Sequence, residues 1–414
     1  MRVSSNMPFI DNRFRMESLE YRTNHLQNGI SSSRAMEDLR DAPIDAGHAV
    51  RLDSFGKRLD RYQKNIEYTN GRMAQAEGYI NEAVTLMQRL RELSLQGAHG
   101  TYTQEETSIM ALEVNQLLDE FTSVINAKGG DGHYLFAGDD SSMPPFLIQK
   151  GRVPNLGPES ITAVKYTGGI SRSKLEIMDG RSIDLNLQGN KVFWAESQKI
   201  FGARDTEGFI VRETNRFFLD GKEIILETGD NIHTLVRKIN EAGAAVKASL
   251  DPVTGSLNME TTLPHQVWLE PVEGTALVDL GVLREAGNTS PPMNWHPDAM
   301  VSGGGIFDQI IALRDALLAG NQEKIGGVLL GGLDEGLDNL LRNLGDIGAV
   351  SNRLSMASSR LDEEGEAVGN WKSLLADLDM TEAITNMKML EYTQEASYRI
   401  AGRLFQLTLM DYLK

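Results

Sequence analysis

The chain has 414 residues, 41% hydrophobic and 24% charged, which is enough for two or three folded domains. Its 58 acidic and 41 basic residues give a net charge of -17 at pH 7, which disfavours nucleic acid and anionic lipid as partners. The absence of cysteine excludes disulfides, thiolate metal sites and cysteine nucleophiles. The sequence contains no apolar run long enough to span a membrane, so it predicts no membrane span. Its N-terminus has no charged stretch followed by an apolar core and a cleavage site, so it predicts no cleavable signal.

The first segment with helical character covers residues 14–39. It is weakly periodic and rich in polar residues, including Ser31, Ser32 and Ser33. Such a segment buries too little apolar surface to remain ordered alone. We therefore expect residues 1–57 to be marginal in the free chain and to fold on a partner.

A heptad pattern follows and predicts one helix over residues 59–94. Thr69 fills its single polar position, and Asn70-Gly71, a dipeptide typical of hairpin turns, does not interrupt the heptad phase. We call its apolar positions the first seam and predict that they pack against another helix. The first seam consists of Leu59, Tyr62, Ile66, Met73, Ala76, Ile80, Ala83, Met87 and Leu90.

The next segments predict a further helix and then a β-rich insert. Thr103 with Glu106 three residues later is a capping-box pattern that starts a helix at residue 104. Frequent Gly and Pro turns with short alternating runs between them, one of them at 266–269, then predict a β-rich domain at 146–299, with one helix at 232–241. Gly303-Gly304-Gly305 is interpreted as the return into a helix at 306–318 rather than as an anion-binding loop, because no lysine with serine or threonine follows.

A second heptad seam borders the insert on its other side, with Glu364 as its one misfit. Two seams that enter and leave one insert must run in opposite directions if they pack together. The predicted fold class is therefore α+β: a long antiparallel coiled-coil rod, residues 58–145 and 300–378, with a β-rich inserted head. The second seam consists of Ile347, Val350, Leu354, Ala357, Leu361, Val368, Trp371, Leu375 and Leu378.

Two aromatic residues within the seams allow two interpretations. Tyr62 and Trp371 could pack in the core of the rod or anchor contacts between subunits. The last segment, 379–414, is again helical in character and resembles 1–57 in burying little by itself. We expect both end segments to order only on neighbouring molecules.

No catalytic or metal-binding constellation is recognisable. The seven histidines show no pair at helical ligand spacing, so solvated or capping roles are expected for them. Asp139-Asp140 lies in a Gly-rich turn without further ligands at loop spacing. The sequence predicts no enzyme, no metal and no cofactor.

The residues that follow the first seam resemble a known family. Residues 73–100, MAQAEGYINEAVTLMQRLRELSLQGAHG, with Thr101 and Glu105-Glu106 after them, are similar to the N-terminal domain of the flagellin-related proteins. Residues 132–146, GHYLFAGDDSSMPPF, and the ending at 409–413 resemble the hook–filament junction members of that family rather than its flagellins. Within the insert, 221–262 is similar to a small Ile-Asn module shared by both groups.

The resemblance implies a structural subunit of the bacterial flagellum, an adaptor on which flagellin polymerises and which filament attachment and motility require. The implied partners are copies of itself in a ring, the hook-associated protein on the hook side, flagellin on the filament side, and an export chaperone at the C-terminal helix, with no nucleic acid and no membrane. The end segments would form an inner tube, and the chain would reach the flagellum by export without a cleavable signal. The apolar face held first by the chaperone and then by neighbours would be Leu404, Phe405, Leu407, Leu409 and Leu413.

Two other functions remain open from the sequence. The first is a flagellin or minor filament subunit, which the Pro-Pro-Phe turn and the Asp-Tyr-Leu ending disfavour. The second is a surface adhesin that binds a ligand with its β-rich head, which would require a signal peptide or an anchor.

Overall fold

The computed structural model describes residues 7–36, 40, 42–287 and 290–411. Long helices occupy both ends of the chain and a β-rich region is inserted between them, which confirms the predicted fold class. None of the described helices is long and apolar enough to cross a bilayer. The helices are α1 Met7–Ser32, α2 Pro43–Ala98, α3 Gln104–Ile125, α4 Gly189–Val192, α5 Ile232–Glu241, α6 Ala276–Asp279, α7 Ile306–Ala319, α8 Gln322–Lys324, α9 Leu330–Ala376 and α10 Met380–Asp411.

The predicted helix over 59–94 lies within α2, which continues unbroken through Asn70-Gly71. Helix α3 begins after Thr103, whose hydroxyl accepts a hydrogen bond from the Glu106 N–H while the Glu106 carboxylate accepts one from the Thr103 N–H. This capping box satisfies donors that the first helical turn leaves free. Between α8 and α9, residues Ile325–Leu329 form a single π-helical turn.

The inserted region contains eleven strands among its described residues, arranged in four small antiparallel sheets. The sheets have the strand orders β1-β2, β3-β4, β10-β6-β7 and β11-β5-β9-β8. The strands are β1 Phe146–Val153, β2 Gly157–Tyr166, β3 Lys174–Met178, β4 Arg181–Asp184, β5 Lys199–Asp205, β6 Asn215–Leu219, β7 Lys222–Leu226, β8 Val246–Leu250, β9 Ser256–Thr261, β10 Leu269–Glu273 and β11 Met300–Ser302.

The strand that the sequence predicts at 266–269 begins only at Leu269. The preceding backbone N–H groups are already bonded outside a strand ladder. The Val267 N–H donates to Gln198 Oε1 at 2.7 Å, and the Trp268 N–H donates to Asp220 Oδ1 at 2.9 Å. An alternating sequence pattern cannot reveal such competition from side chains distant in sequence.

The chain divides into two compact units, one formed by Met1–Lys64 with Met356–Lys414 and the other by Asn65–Ser355. The divisions predicted at 57/58, 145/146, 299/300 and 378/379 do not coincide with these unit boundaries and stay predictions. The unit Asn65–Ser355 contains two hydrophobic cores.

The first core joins helices to the beginning of the insert. It combines side chains of α2, α3, α7 and α9 with residues of β1, β2 and the segment around α4. Phe193 meets Phe121, Phe136 and Phe146 in edge-to-face geometry, with ring centroids 6.1, 4.9 and 5.8 Å apart. Such aromatic pairs stabilise beyond the area that they bury. Residues 146–195 therefore contribute to the same core as the helices.

The second core lies within residues 200–301. Helix α5 packs over β7 and β8, contributing Ile232, Leu235 and Ile239 to this core. The chain enters this part of the molecule on β5 and leaves it on β11, which pair antiparallel with Lys199 opposite Ser302.

Candidate assembly interface

In the unit formed by the chain ends, α1 pairs with α10. The Tyr398 hydroxyl donates to Glu20 Oε1 at 3.1 Å across this pair. Where α1 ends and α10 begins, the Ala35 N–H donates to the Ala376 carbonyl at 2.9 Å and the Leu378 N–H donates to the Ser33 carbonyl at 3.2 Å. The two termini thus fold against each other within one chain.

The α1–α10 pair leaves large apolar side chains in solvent. Phe14 and Tyr392 are each 72% exposed. Large apolar residues that cluster at a protein surface mark an interaction site, so the number of them on this pair makes it the candidate interface. The large exposed apolar residues of the pair are Ile10, Phe14, Tyr21, Met380, Ile384, Met389, Tyr392, Tyr398 and Ile400.

The predicted chaperone- and neighbour-binding face belongs to the last part of α10. The side chains of Leu404, Phe405, Leu407 and Leu409 and all of Leu413 lie outside the described residues. Their role as a binding face stays a prediction.

The same unit contains the beginning of the first seam and the end of the second. Leu59, Tyr62 and Leu361 are buried, whereas Val368, Leu375 and Leu378 are half-buried. Tyr62 is only 4% exposed, which favours core packing over an anchor role for it.

Trp371 does not pack in the seam of the single chain, because it is 64% exposed. A straight helix drifts by about 20° per heptad relative to a strict 3.5-residue repeat. Over the three heptads from Ile347 this drift turns position 371 away from the stripe and brings position 372 onto it. Lys372 indeed contacts α2, with Nζ 2.7 Å from Asp53 Oδ1.

Asp53 receives two ammonium groups on the α2 surface. Its pKa is lowered to about 2, first by the hydrogen bond from Lys372 and then by that from Lys57, whose Nζ lies 2.8 Å from Asp53 Oδ2. Because these groups are exposed, salt and water screen the interaction. We therefore expect it to align α9 with α2 but to contribute little to the free energy of unfolding.

Within Asn65–Ser355, the structure buries the remaining seam residues apart from Val350, which is half-buried. Those from Met73 to Leu90, and Ile347, face the first core rather than a two-helix stripe, because side chains of α3, α7 and the β1–β2 hairpin belong to the same core. The buried seam residues in this unit are Ile66, Met73, Ala76, Ile80, Ala83, Met87, Leu90, Ile347 and Leu354.

Sequence reasoning missed a set of polar residues that fasten the insert to the helices. Arg314 of α7 is 1% exposed, and its Nη1 donates to the Ile161 carbonyl of β2 at 2.6 Å. Asn339 of α9 donates from Nδ2 to the Lys191 carbonyl at 2.7 Å and the Trp194 carbonyl at 2.8 Å. These contacts join segments more than 140 residues apart, so no local pattern could indicate them.

A carboxylate fastens the turn after α3 to α2. Asp131 Oδ2 accepts hydrogen bonds from Arg72 Nη1 at 2.6 Å and the Tyr68 hydroxyl at 2.8 Å, while Oδ1 accepts one from the His133 N–H at 3.0 Å. Burial alone would raise the pKa of Asp131, but these bonds and the Arg72 charge outweigh it and lower the pKa to about 2.

One histidine departs from the solvated or capping roles expected for all seven. His265 is 1% exposed, with Nε2 2.8 Å from Asp220 Oδ2 and Nδ1 2.8 Å from the Leu263 carbonyl oxygen. Asp220 lies in the turn between β6 and β7, so the pair joins this turn to the segment that precedes β10. No group of three or more His, Asp or Glu side chains in the described ranges is placed to hold a metal ion.

Two models of known protein families match the two ends of the chain. The sequence model described as the bacterial flagellin N-terminal helical region matches residues 3–141, and that described as the bacterial flagellin C-terminal helical region matches residues 330–413. Together they cover more than half of the chain. The chain belongs to the flagellin family. The matched ranges contain α1, α2, α3, α9 and α10, so the exposed pair and both seams are the family's helical regions.

Individual relatives in the flagellin family are distant. Flagellin B of Vibrio cholerae is 25% identical over 376 residues, which cover 90% of this chain and 88% of the relative. Flagellar hook-associated protein 3 of Escherichia coli is 23% identical over 290 residues, which cover 70% of this chain and 86% of the relative. Among solved structures, flagellar hook-associated protein 3 of Legionella pneumophila has a TM-score of 0.47 at 15% identity, covering 77% of this chain and 96% of its own.

Proposed function

We propose that this flagellin-family chain is a structural subunit of the bacterial flagellum that works as the adaptor at the hook–filament junction. The observation that carries the structural role is the α1–α10 pair, which exposes large apolar side chains on both helices. In water this surface is unfavourable, and packing it against copies of the same helices and related ones would remove it from solvent. A polymer subunit needs such a surface for contacts with its neighbours.

The choice of the junction rests on sequence. Residues 132–146 and the ending at 409–413 resemble hook–filament junction members rather than flagellins. The expected partners are copies of itself in a ring, the hook-associated protein on the hook side and flagellin on the filament side. An enzymatic activity is not expected, because the polar clusters at Arg314, Asp131 and Asp220 lie in hydrogen bonds that join segments of the fold.

Delivery would precede folding of the ends. We propose export without a cleavable signal, with a chaperone holding the last part of α10, where Leu404, Phe405, Leu407, Leu409 and Leu413 supply the apolar side chains. Contacts with neighbouring subunits would then offset the conformational entropy that the end segments lose when they become ordered. Trp371, exposed in the single chain, is proposed as an anchor between subunits.

A flagellin or minor filament subunit is the second candidate, and the Vibrio cholerae flagellin favours it by aligning with more of the chain than the hook-associated relative does. Deletion of the gene separates the two. The junction role predicts cells with complete hooks, no filaments, and unassembled flagellin in the medium or periplasm. Filaments of normal or reduced length in the deletion strain would contradict the junction role and favour the filament subunit.

A further inference from the structure

The small sheets of the inserted region have many edge strands, and on most of these a side chain from outside the sheet bonds to the backbone. A strand with a neighbour on one side only presents unpaired N–H and C=O groups that can pair with another chain. Eight of the described strands are in this position. In six of them a side chain from a helix or a loop bonds an outward backbone group: Asn126 on β1, Arg314 on β2, Asn65 on β3, Lys238 on β7, Asn240 on β8 and Asn294 on β10.

Two of these side chains satisfy both groups of one edge residue. Asn240, next to the end of α5, accepts from the Ala248 N–H at 2.8 Å and donates to the Ala248 carbonyl at 3.0 Å. Asn126, the residue after α3, does the same for Phe146, with both distances 3.1 Å. A carboxamide has one acceptor and one donor side by side, as a strand residue has, and therefore occupies the place of an incoming strand.

Helix α5 closes two edges at once. Two residues before Asn240, Lys238 Nζ donates to the Ile225 carbonyl of β7 at 2.9 Å. Strands β7 and β8 belong to different sheets, and each is the last strand of its sheet. One short helix thus covers one open edge in each sheet with neighbouring side chains.

We propose that Asn240 and Asn126 are edge caps whose role is to prevent strand addition by a second copy of this chain. Both asparagines sit at or next to helix ends, where many polar residues would be tolerated, so local helix structure alone does not require an amide there. The inference does not depend on where in the flagellum the chain lies, because any subunit that polymerises is crowded by copies of itself. Strand pairing between the inserted regions of two subunits would compete with assembly through their α1–α10 pairs.

The test is Asn240→Ala in the full-length protein, with Asn231→Ala as the matched control. Asn231 caps the other end of the same helix, where its Oδ1 accepts from the Thr234 N–H at 3.0 Å, and its removal opens no strand edge. Both variants lose one amide side chain, but Asn231→Ala removes the N-cap of α5 whereas Asn240→Ala removes the two bonds to Ala248 of β8. Size-exclusion chromatography with light scattering over a range of concentrations measures association, and hydrogen exchange measures protection of the Ala248 amide.

Asn240→Ala is expected to form concentration-dependent oligomers above the level of the parent protein, whereas Asn231→Ala is not. In dilute monomer the Ala248 amide is expected to exchange about tenfold faster than in the parent, the effect of losing one hydrogen bond. In the oligomer it becomes protected again, because an added strand replaces the amide. Equal association of both variants, or an oligomer in which Ala248 stays unprotected, would overturn the proposal.

A second variant guards against failure of Asn240→Ala to fold. Lys238→Met keeps most of the aliphatic side chain but removes the bonds to the Ile225 carbonyl and to Asp230 Oδ2, and it opens β7 instead of β8. It is expected to associate as well, and a folded but monomeric Lys238→Met protein would overturn edge capping by α5 even where Asn240→Ala does not fold. The deletion phenotype that tests the junction role is unaffected by either result.

Discussion

Arg314 is the largest fully buried side chain among the described residues, and it connects three segments. Its Nη1 donates to the Ile161 carbonyl and to Asn115 Oδ1, at 2.6 and 3.2 Å, and Nε and Nη2 donate to Asp315 Oδ1. Truncating a buried charged donor leaves its acceptors without partners in a place that water does not reach.

Arg314→Met is therefore expected to lower the free energy of unfolding by about 2–3 kcal/mol, measured by urea denaturation. Arg342→Met, at an exposed position of α9, serves as the control and should change stability by less than about 0.5 kcal/mol. Equal effects of the two substitutions would show that the Arg314 bonds add nothing.

Asp131 predicts a pH dependence of stability. Its folded-state pKa of about 2 lies below the roughly 3.9 of an unfolded aspartate, so the folded state binds the proton less readily. The stabilisation is fully present above the unfolded value and is lost as the pH falls from about 4 towards 2.

Asp131→Asn should cost about 1–2 kcal/mol at pH 7, and its difference from the parent protein should shrink as the pH approaches 2. Urea denaturation at a series of pH values measures both. Asp179→Asn, in the exposed turn between β3 and β4, is the control and should follow the parent protein throughout. A constant difference between Asp131→Asn and the parent across this pH range would contradict the titration argument.

At the residue scale, the sequence predicted apolar positions better than polar ones. The heptad rule identified Leu59 through Leu90 because burial repeats along one helix face. Arg314, Asn339 and His265 carry no such repeat, and their partners lie far away in the chain. Their burial depends on the folded surroundings, which local patterns do not contain.

At the scale of an element, three glycines of α2 show how helix propensity and local packing each affect stability. An added Cβ at Gly71 or Gly78 would meet nothing within 4 Å, whereas at Gly97 it would lie 2.5 Å from Leu317 Cδ2. Glycine within a helix costs roughly 0.8–1 kcal/mol relative to alanine. The three positions share one helix but differ in the space beside them.

Gly71→Ala and Gly78→Ala should each raise the free energy of unfolding by about 0.5–1 kcal/mol, and Gly97→Ala should lower it. Thermal unfolding followed by circular dichroism ranks the three variants. A destabilising Gly71→Ala substitution would indicate that Asn70-Gly71 needs glycine for a turn that α2 does not show.

Helix ends and helix continuity were predictable where the signals were local. The capping box at Thr103 and Glu106 starts α3 at the predicted residue, and the helix at Ile232–Glu241 has both predicted boundaries. The strand at 266–269 was shifted, because N–H groups there bond to Gln198 and Asp220. Trp371 is exposed in the single chain because the heptad count ignored the drift of a straight helix, which leaves the anchor between subunits as its open interpretation.

At the scale of the whole molecule, the two compact units should differ in resistance to protease. The unit Asn65–Ser355 contains two hydrophobic cores, whereas the α1–α10 pair exposes large apolar residues on both helices. Local opening is easiest where few buried contacts oppose it.

Limited trypsin digestion of the monomer should cleave α1 and α10 first, at sites such as Arg13, Arg15 and Arg399, and leave a resistant fragment that spans Asn65–Ser355. Mass spectrometry of the time course identifies the cuts. The same digestion of assembled flagella should spare the ends, and equal resistance of ends and centre in the monomer would contradict the proposal that the ends order on neighbours.

The antiparallel entry and exit strands of the second core have a practical consequence for protein engineering. Lys199 and Ser302 lie opposite each other, and the second core is formed from residues between them. A foreign domain whose own termini are close together could replace 199–302 as a cassette, leaving every aromatic contact of Phe193 in place. A graft cut at residue 146 instead would remove Phe146, Ile161 and Phe193 from the helical core, and the recipient chain would lose the framework that was meant to display the new domain.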